Sequence, residues 1–397
     1  MTISITLTTA IALASPGPGA QPTRASAPPT PRQAIVQLQP ADRAIDLQAK
    51  LDAKIAKNRG YGGGLFRMSS GSDGVLFEGV SGDIDRIGGV PIEPRDTFEI
   101  ASTSKTFTAA TILLLKEEGL LFLDDPISTY LPTDITQGLL VIDDHDYGPE
   151  ITLRQCLNHT SGLPDYWYDP PYVFWELNAF LIEYYRDWDM FWEPEDLIGY
   201  AKDLTPIAPP GTLFHYSDTG YVLLGMIAEI VANRQLHHVY RDLIFSPFAM
   251  NDTYLPYREQ PTSPHAESHR YEWKLDMYGQ MRQSADWAGG GLVSSTRDLE
   301  TFSRALFQGE LFDDPATLEE MREWVFTGDV DVYYGLGIYQ IRFDGGIGEL
   351  VGHDGYGNAW MYYWPEEDVS FTGTLNQALN DWWSLVVWGM VSVIVGD

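Results

Sequence analysis

The chain is predicted to be an α/β protein: helices flank one antiparallel sheet built from both chain ends, with a mainly helical segment in the middle. Three observations predict this. Strand-length apolar runs gather before Ile100 and again after Tyr334. Between them, from Leu153 to roughly Asn251, apolar residues recur at helical spacing. With 44% apolar and 20% charged residues over 397 positions, the chain is globular and has ample material for a core. No internal repeat interrupts the pattern.

In chain order, residues 1–33 stand apart. A short apolar run from Ile3 to Ala14 contains "ALA" before Ser15, and a Pro/Ala/Ser tract follows. This is the pattern of an export signal and linker, which would place the protein in the periplasm or outside the cell. No Lys or Arg precedes the run, since the first is Arg24, so a plain tail on a cytoplasmic protein is the alternative. From Ala41 to Lys57 the periodicity is helical. "GGGLFRM" and "GVLFEGVSG" read as two strands joined by a turn at Ser69 to Asp73, and "DTFEI" as a short extended piece. A strongly apolar helix is expected from Ser102 to about Glu118, stopped by Gly119.

The middle carries two clear helical runs, "LRQCLNH" and "TGYVLLGMIAEIVANR". The aromatic-dense stretch "PDYWYDPPYVFWELNAFLIEYYRDWDMFW" reads as a small helical core that could also wall a cleft, in preference to a cofactor site. Strand patterns return in "GLGIYQIRF", "GELVGHDG", "NAWMYYWPE" and "VSFTGTLNQ". The apolar run Trp382 to Val395 is short of the roughly 20 residues a bilayer needs and reads as a buried helix. The expected division is 34–152 with 288–397 as an α/β domain and 153–287 as a mainly helical one, together forming one catalytic unit.

A formal net charge of −31 argues against nucleic acid or an anionic membrane as partner, and is compatible with a small-molecule or peptide substrate. Oligomeric state is not written in the chain. Cys156 is the only cysteine, so no intrachain disulfide can form. No cofactor or metal is expected. "HAESH", His265 to His269, has the H-x-x-x-H spacing of a zinc helix, but its glutamate is displaced and Pro264 points to a loop. Cys156 and His159 would share a helical face, yet a lone cysteine among leucines is more often core. His237 and His238 are expected at the surface. No G-x-S-x-G elbow occurs.

The chemistry concentrates in "FEIASTSKTFTA", Phe98 to Ala109. If a helix begins at Ser102, Lys105 lies one turn on, with Cβ atoms about 5–6 Å apart. An amine that close can take the serine proton when it is neutral or shares its own proton. Burial at a helix N-terminus favours the neutral amine, and the same N-terminus offers N–H groups to a developing oxyanion. The bland alternative is an N-cap serine followed by a solvated lysine.

The wider string "FEIASTSKTFTAATILLLKEEGLLFLDDPISTYLP" resembles the serine β-lactamase and penicillin-binding family. The likeness is to its class C β-lactamase, DD-carboxypeptidase, esterase and D-aminopeptidase branch. "ITLRQCLNHTSGLPDY", "PPGTLFHYSDTGYVLLGMIAEIVANR", "FSPFAMNDTYL", "AGGGLVSSTRDLETFSRAL" and "GHDGYGNAW" follow in the family's order, so the resemblance runs from roughly Ile45 to the C-terminus. It implies a β-lactamase/transpeptidase-like fold. It also implies Ser102 as nucleophile, Lys105 as its base and Tyr216 as the second proton-transfer group. His353 would hold the third-motif position and support the tyrosine electrostatically. The oxyanion hole would join the N–H of Ser102 to that of Tyr356, just after Gly355.

Two positions depart from the family pattern. Asp218 stands where the family usually has Asn; a carboxylate could hold Lys105 and make it a worse base, or hold a substrate amine. His353 replaces the usual lysine, and no lysine follows Lys274, so a substrate carboxylate lacks its cation unless Arg282 or Arg342 supplies one. The expected function is therefore a serine hydrolase working through an acyl-serine intermediate, with small esters or D-amino-acid amides and peptides favoured. The alternatives are a DD-carboxypeptidase or β-lactamase with an arginine anchor, and a binding or regulatory relative without turnover.

Overall fold

The computed structural model describes residues 40–57, 62–272, 274–377 and 383–394. The expected export signal and linker, residues 1–33, lie outside these, as do Trp382 and Val395. Helix α1 (Pro40–Lys57) leads into strands β1 (Gly63–Ser70) and β2 (Gly74–Gly82). The hairpin turn is tighter than expected. A register shift after Met68 pairs Ser69 with Val75 and Ser70 with Gly74, which leaves three turn residues.

The "DTFEI" piece is β3 (Thr97–Glu99), which pairs in parallel with Glu267–Ser268 and antiparallel with Val293–Ser294. Helix α2 (Ser104–Glu117) follows, ended by Gly119 at φ +73. Every residue of α2 from Ser104 to Leu113 is buried, so it runs through the core and needs no polar face. In the middle of the chain come α3 (Leu153–Leu157) and α4 (Asp218–Ala232). The aromatic stretch is less helical than its spacing suggests, with a helix only at Ala179–Arg186. Tyr166, Phe180, Tyr184 and Trp192 go into the core, while Tyr168, Phe174, Trp175 and Trp188 face solvent.

Helix α5 (Thr296–Phe307) precedes the late strands β4 (Val325–Phe326), β5 (Val332–Tyr334), β6 (Tyr339–Phe343), β7 (Gly348–Gly355), β8 (Ala359–Trp364) and β9 (Val369–Thr374). Helix α6 (Trp383–Ile394) comes last. One eight-stranded antiparallel sheet has the order β4-β5-β6-β7-β8-β9-β1-β2, so the N-terminal hairpin continues the C-terminal strands.

Both sheet faces are covered, and strand β8 shows why. Its alternate residues Trp360, Tyr362 and Trp364 pack with Leu47 and Leu51 of α1 and with Leu385, Val386 and Met390 of α6. Ala359, Met361 and Tyr363 face the opposite core with Phe107, Phe302 and Leu306. A period of two with apolar residues on both faces makes a continuous apolar run. Helix α6 is less buried than expected, since Trp388 and Ile394 are exposed.

Candidate active site

The site forms where β3 hands over to α2 beside the end of β7. The Ile100 N–H donates to the Leu292 carbonyl at 2.9 Å, fixing the strand end. Ala101 then takes φ +45, a left-handed conformation that non-glycine residues rarely adopt, and turns the chain sharply. A short 3₁₀ turn, Ala101–Thr103, precedes α2, so Ser102 sits just ahead of the helix proper. Ser102 stays partly exposed while Thr103 and Ser104 are buried.

Lys105 is fully buried, and its Nζ donates to Ser102 Oγ at 3.3 Å, to Asp218 Oδ1 at 2.5 Å and to the Gly289 carbonyl at 2.8 Å. Three donors on Nζ therefore have three acceptors. The structure thus brings Asp218 onto Lys105, one of the two uses its chemistry allows. Gly289 permits this approach, because a Cβ there would lie 2.5 Å from Asp218 Oδ1.

Tyr216 lies just before α4, its ring centroid 4.8 Å from Lys105 Nζ and its hydroxyl hydrogen-bonded with Ser102. Burial first, then the Asp218 carboxylate, raise the phenol well above its usual range despite the Ser102 bond. At neutral pH it is a phenol able to donate a proton, so no cation lowers it into range as a base.

His353 sits on β7, buried, with its ring 6.4 Å from that of Tyr216. Its Nε2 pairs with the Tyr334 hydroxyl at 3.0 Å and its Nδ1 donates to the Asp354 carbonyl at 2.6 Å. Burial, then Lys105, push it down to about 3 against that last bond. In that state the imidazole is neutral, and what it offers Tyr216 is a dipole and packing with no positive charge.

The Ser102 turn and β7 press together at Gly355, where a Cβ would stand 2.3 Å from the Ile100 carbonyl oxygen and 2.8 Å from Ala101 Cβ. Tyr356 follows, half-exposed, with its ring 6.5 Å from Tyr168.

Two residues stand at the site in places the sequence reading did not give them. His159, at φ +58 beyond α3, stacks 4.3 Å from Tyr216, and its Nδ1 accepts the Ser217 N–H at 3.1 Å. That clamp, with the His159 carbonyl accepting from His215 N–H at 2.8 Å, fixes the segment carrying Tyr216. Its only sequence signal was the "NHTSG" turn. Asp165 accepts the Asp218 N–H at 3.4 Å, and burial, then the Asp218 and Asp169 carboxylates, hold its carboxyl well above the usual range.

Other candidates fall elsewhere. Arg282 is buried, donates to the Tyr184 carbonyl at 2.9 Å and packs on Tyr184, Tyr185 and Trp188. Arg342 lies on β6 over the Tyr333 ring, 4.3 Å from its centroid. Neither makes a contact with Ser102, Lys105 or Tyr216. His269 pairs with Asp276 at 2.8 Å and stacks on Tyr278. Cys156 is buried and its thiol is pushed up to about 12 by that burial. His237 is buried, contrary to the surface expectation, and only His238 is exposed.

A family model described as Beta-lactamase matches residues 52–382. A penicillin-binding protein of Bacillus subtilis is 28% identical over 281 residues, 67% of this chain and 56% of that relative. A second, a penicillin-binding protein of Amycolatopsis lactamdurans, is 27% identical over 46% of this chain and 42% of its own length. The chain thus spans about half the length of these curated relatives. Among solved structures, a D-stereospecific amidohydrolase from a Streptomyces species superposes with TM-score 0.70 at 29% identity, covering 87% of this chain and 97% of that one. A D-amino acid amidase from Ochrobactrum anthropi superposes with TM-score 0.73 at 24% identity, over 89% and 98% of the two chains, a likeness of fold.

Proposed function

Because the chain belongs to the Beta-lactamase family, we propose that it is a serine hydrolase cleaving small esters or D-amino-acid amides and peptides through an acyl enzyme on Ser102. The observation that carries this reading is the convergence of the Lys105 Nζ, 3.3 Å away, and the Tyr216 hydroxyl on one partly exposed serine. Once Lys105 has given up a proton, its amine takes the Ser102 proton as Oγ attacks the substrate carbonyl. The N–H groups of Ser102 and Tyr356 receive the developing oxyanion. The Tyr216 phenol donates to the leaving group and recovers its proton from the ammonium of Lys105. Water then cleaves the acyl enzyme by the same path in reverse.

The Asp218 carboxylate, with the Asp165 carboxyl beside it, makes a site that suits a cation. That favours a substrate with an amine over a penicillin or a peptide C-terminus, for which Arg282 and Arg342 are misplaced. The D-stereospecific amidohydrolase from a Streptomyces species, 29% identical, supports that substrate class. Export through residues 1–33 belongs to the same reading and is checked by sequencing the N-terminus of protein recovered outside a producing cell.

The test incubates wild type and Ser102→Ala with p-nitrophenyl butyrate, D-alanine p-nitroanilide and a fluorescent penicillin. Loss of at least about 10³-fold is expected in the variant. Equal rates for the two proteins on every substrate would sink the nucleophile assignment. Stable labelling by the penicillin would favour the carboxypeptidase alternative.

A further inference from the structure

We propose that the Lys105–Asp218 ion pair is a latch that a substrate ammonium opens, so that Asp218 selects amine-bearing acyl groups and Lys105 becomes a base only when one is bound. The inference rests on the reading of Ser102 as nucleophile and deepens it.

The latch follows from how completely Lys105 is bound. Its three N–H bonds go to Ser102, Asp218 and the Gly289 carbonyl. In that arrangement nitrogen donates toward Ser102 Oγ, and it has no lone pair to receive the serine proton. One proton must leave first. The groups facing Lys105 do not take it readily. His159 and His353 are buried neutral imidazoles whose protonation Lys105 itself opposes. The Tyr216 and Tyr221 rings, 4.8 and 5.4 Å away, carry phenols raised above their ordinary range. The resting site is therefore locked by its own ion pair.

Asp218 is the member of the pair that can be drawn away. Its side chain retains 11% exposure, whereas that of Lys105 has none. Asp165 and Asp286 share its field, each raised by burial and by the Asp218 charge among other causes, and Tyr166 feels the same charge. A second cation entering here meets the Asp218 carboxylate and two neighbouring acids whose ionisation a cation would favour. When a substrate ammonium pairs with Asp218, the fully buried Lys105 loses most of its counter-charge, and burial then disfavours its cation. Lys105 releases one proton to water and turns its lone pair to Ser102. The serine proton moves to Nζ, the Oγ–carbonyl bond forms, and the bond to the amide nitrogen breaks as that nitrogen gains a proton through Tyr216.

Two anilides that differ only in the amine decide the matter: D-alanine p-nitroanilide and propionyl p-nitroanilide, with wild type, Asp218→Asn and Ser102→Ala. Wild type is expected to prefer the amine-bearing anilide by about 100-fold or more, chiefly in kcat. Added methylammonium should raise wild-type hydrolysis of the propionyl anilide several-fold, roughly, and saturably. Asp218→Asn should hydrolyse the propionyl anilide at least about 10-fold faster than wild type and ignore methylammonium. The latch is overturned if folded Asp218→Asn loses both activities, or if methylammonium leaves wild type unchanged and the preference lies in KM alone. The methylammonium arm needs no variant to fold. Ser102→Ala separates the two levels. Loss of both activities keeps the nucleophile when the latch fails, and wild-type rates in it overturn the nucleophile itself.

Discussion

Ala101 and Gly355 are opposite sides of one contact, and in the proposed mechanism that contact sets where the oxyanion lies. The φ of +45 at Ala101 lifts Ser102 off the helix axis, and the bare Cα of Gly355 lets β7 close on the Ile100 carbonyl. Any Cβ at 355 would have to push backbone, because its nearest atom is the Ile100 carbonyl oxygen at 2.3 Å. Gly355→Ala should therefore separate strand from turn. The expected cost is about 1–3 kcal/mol of stability and roughly 100-fold or more in kcat. Thermal melts and p-nitrophenyl butyrate kinetics measure both. A variant that melts lower but hydrolyses at the wild-type rate would remove Tyr356 from the oxyanion role.

Helix α2 owes its position to packing more than to capping. Neither Ile100 nor Thr103 caps its start with a side chain, yet its residues from Ser104 to Leu113 are buried. Phe107 stacks on Phe302 of α5 at 3.8 Å and meets Phe245 edge-on at 6.1 Å. Since Lys105 and Phe107 share this helix, core packing holds Lys105 against Asp218. Phe107→Ala should cost about 3–5 kcal/mol in chemical denaturation. Below its lowered melting temperature it should keep KM within about 3-fold of wild type; a large KM change in a folded sample would mean that α2 had moved the site.

Across the whole molecule, buried titratable groups set opposing pH dependences. His353 is pushed down to about 3 and His159 is lowered too, both by burial first, so the unfolded chain binds their protons at a pH where the folded chain does not. Their contribution is complete above the ordinary histidine value of about 6.5 and is lost as pH falls toward the folded value. Asp286 runs the other way. Burial, opposed by Arg270 and aided by Glu99, Asp218 and Glu272, pushes it up to about 7, so its contribution is present at low pH and lost as pH rises through that value. Urea unfolding at about pH 7 and about pH 4.5 should show His353→Gln losing less stability on acidification than wild type. Asp286→Asn should lose less between about pH 5 and about pH 8. Parallel curves for all three proteins would overturn the assignment.

At this scale the limits of the sequence are also plain. Period-two runs such as that of β8 and the order of motifs from Ser102 to His353 were readable, because pleat and helix geometry act locally and because the family match spans most of the chain. The grouping of Ser102, Lys105 and Tyr216 was legible for the same reason. What the chain alone could not show was where polar groups find partners after burial. Asp218 could have faced a substrate or Lys105, and only the Gly289 approach decided it. His353 could have been a cation, and its burial, with Lys105 nearby, favours the neutral ring. His159 entered the site because a left-handed turn swung it under Tyr216. The sequence by itself determined the fold class, its two-ended sheet and the place of the Ser102–Lys105 segment in the family's order of motifs. The tertiary structure decided the protonation and pairing of the groups around that segment, because charge and hydrogen bonding in a buried site depend on neighbours contributed by distant parts of the chain.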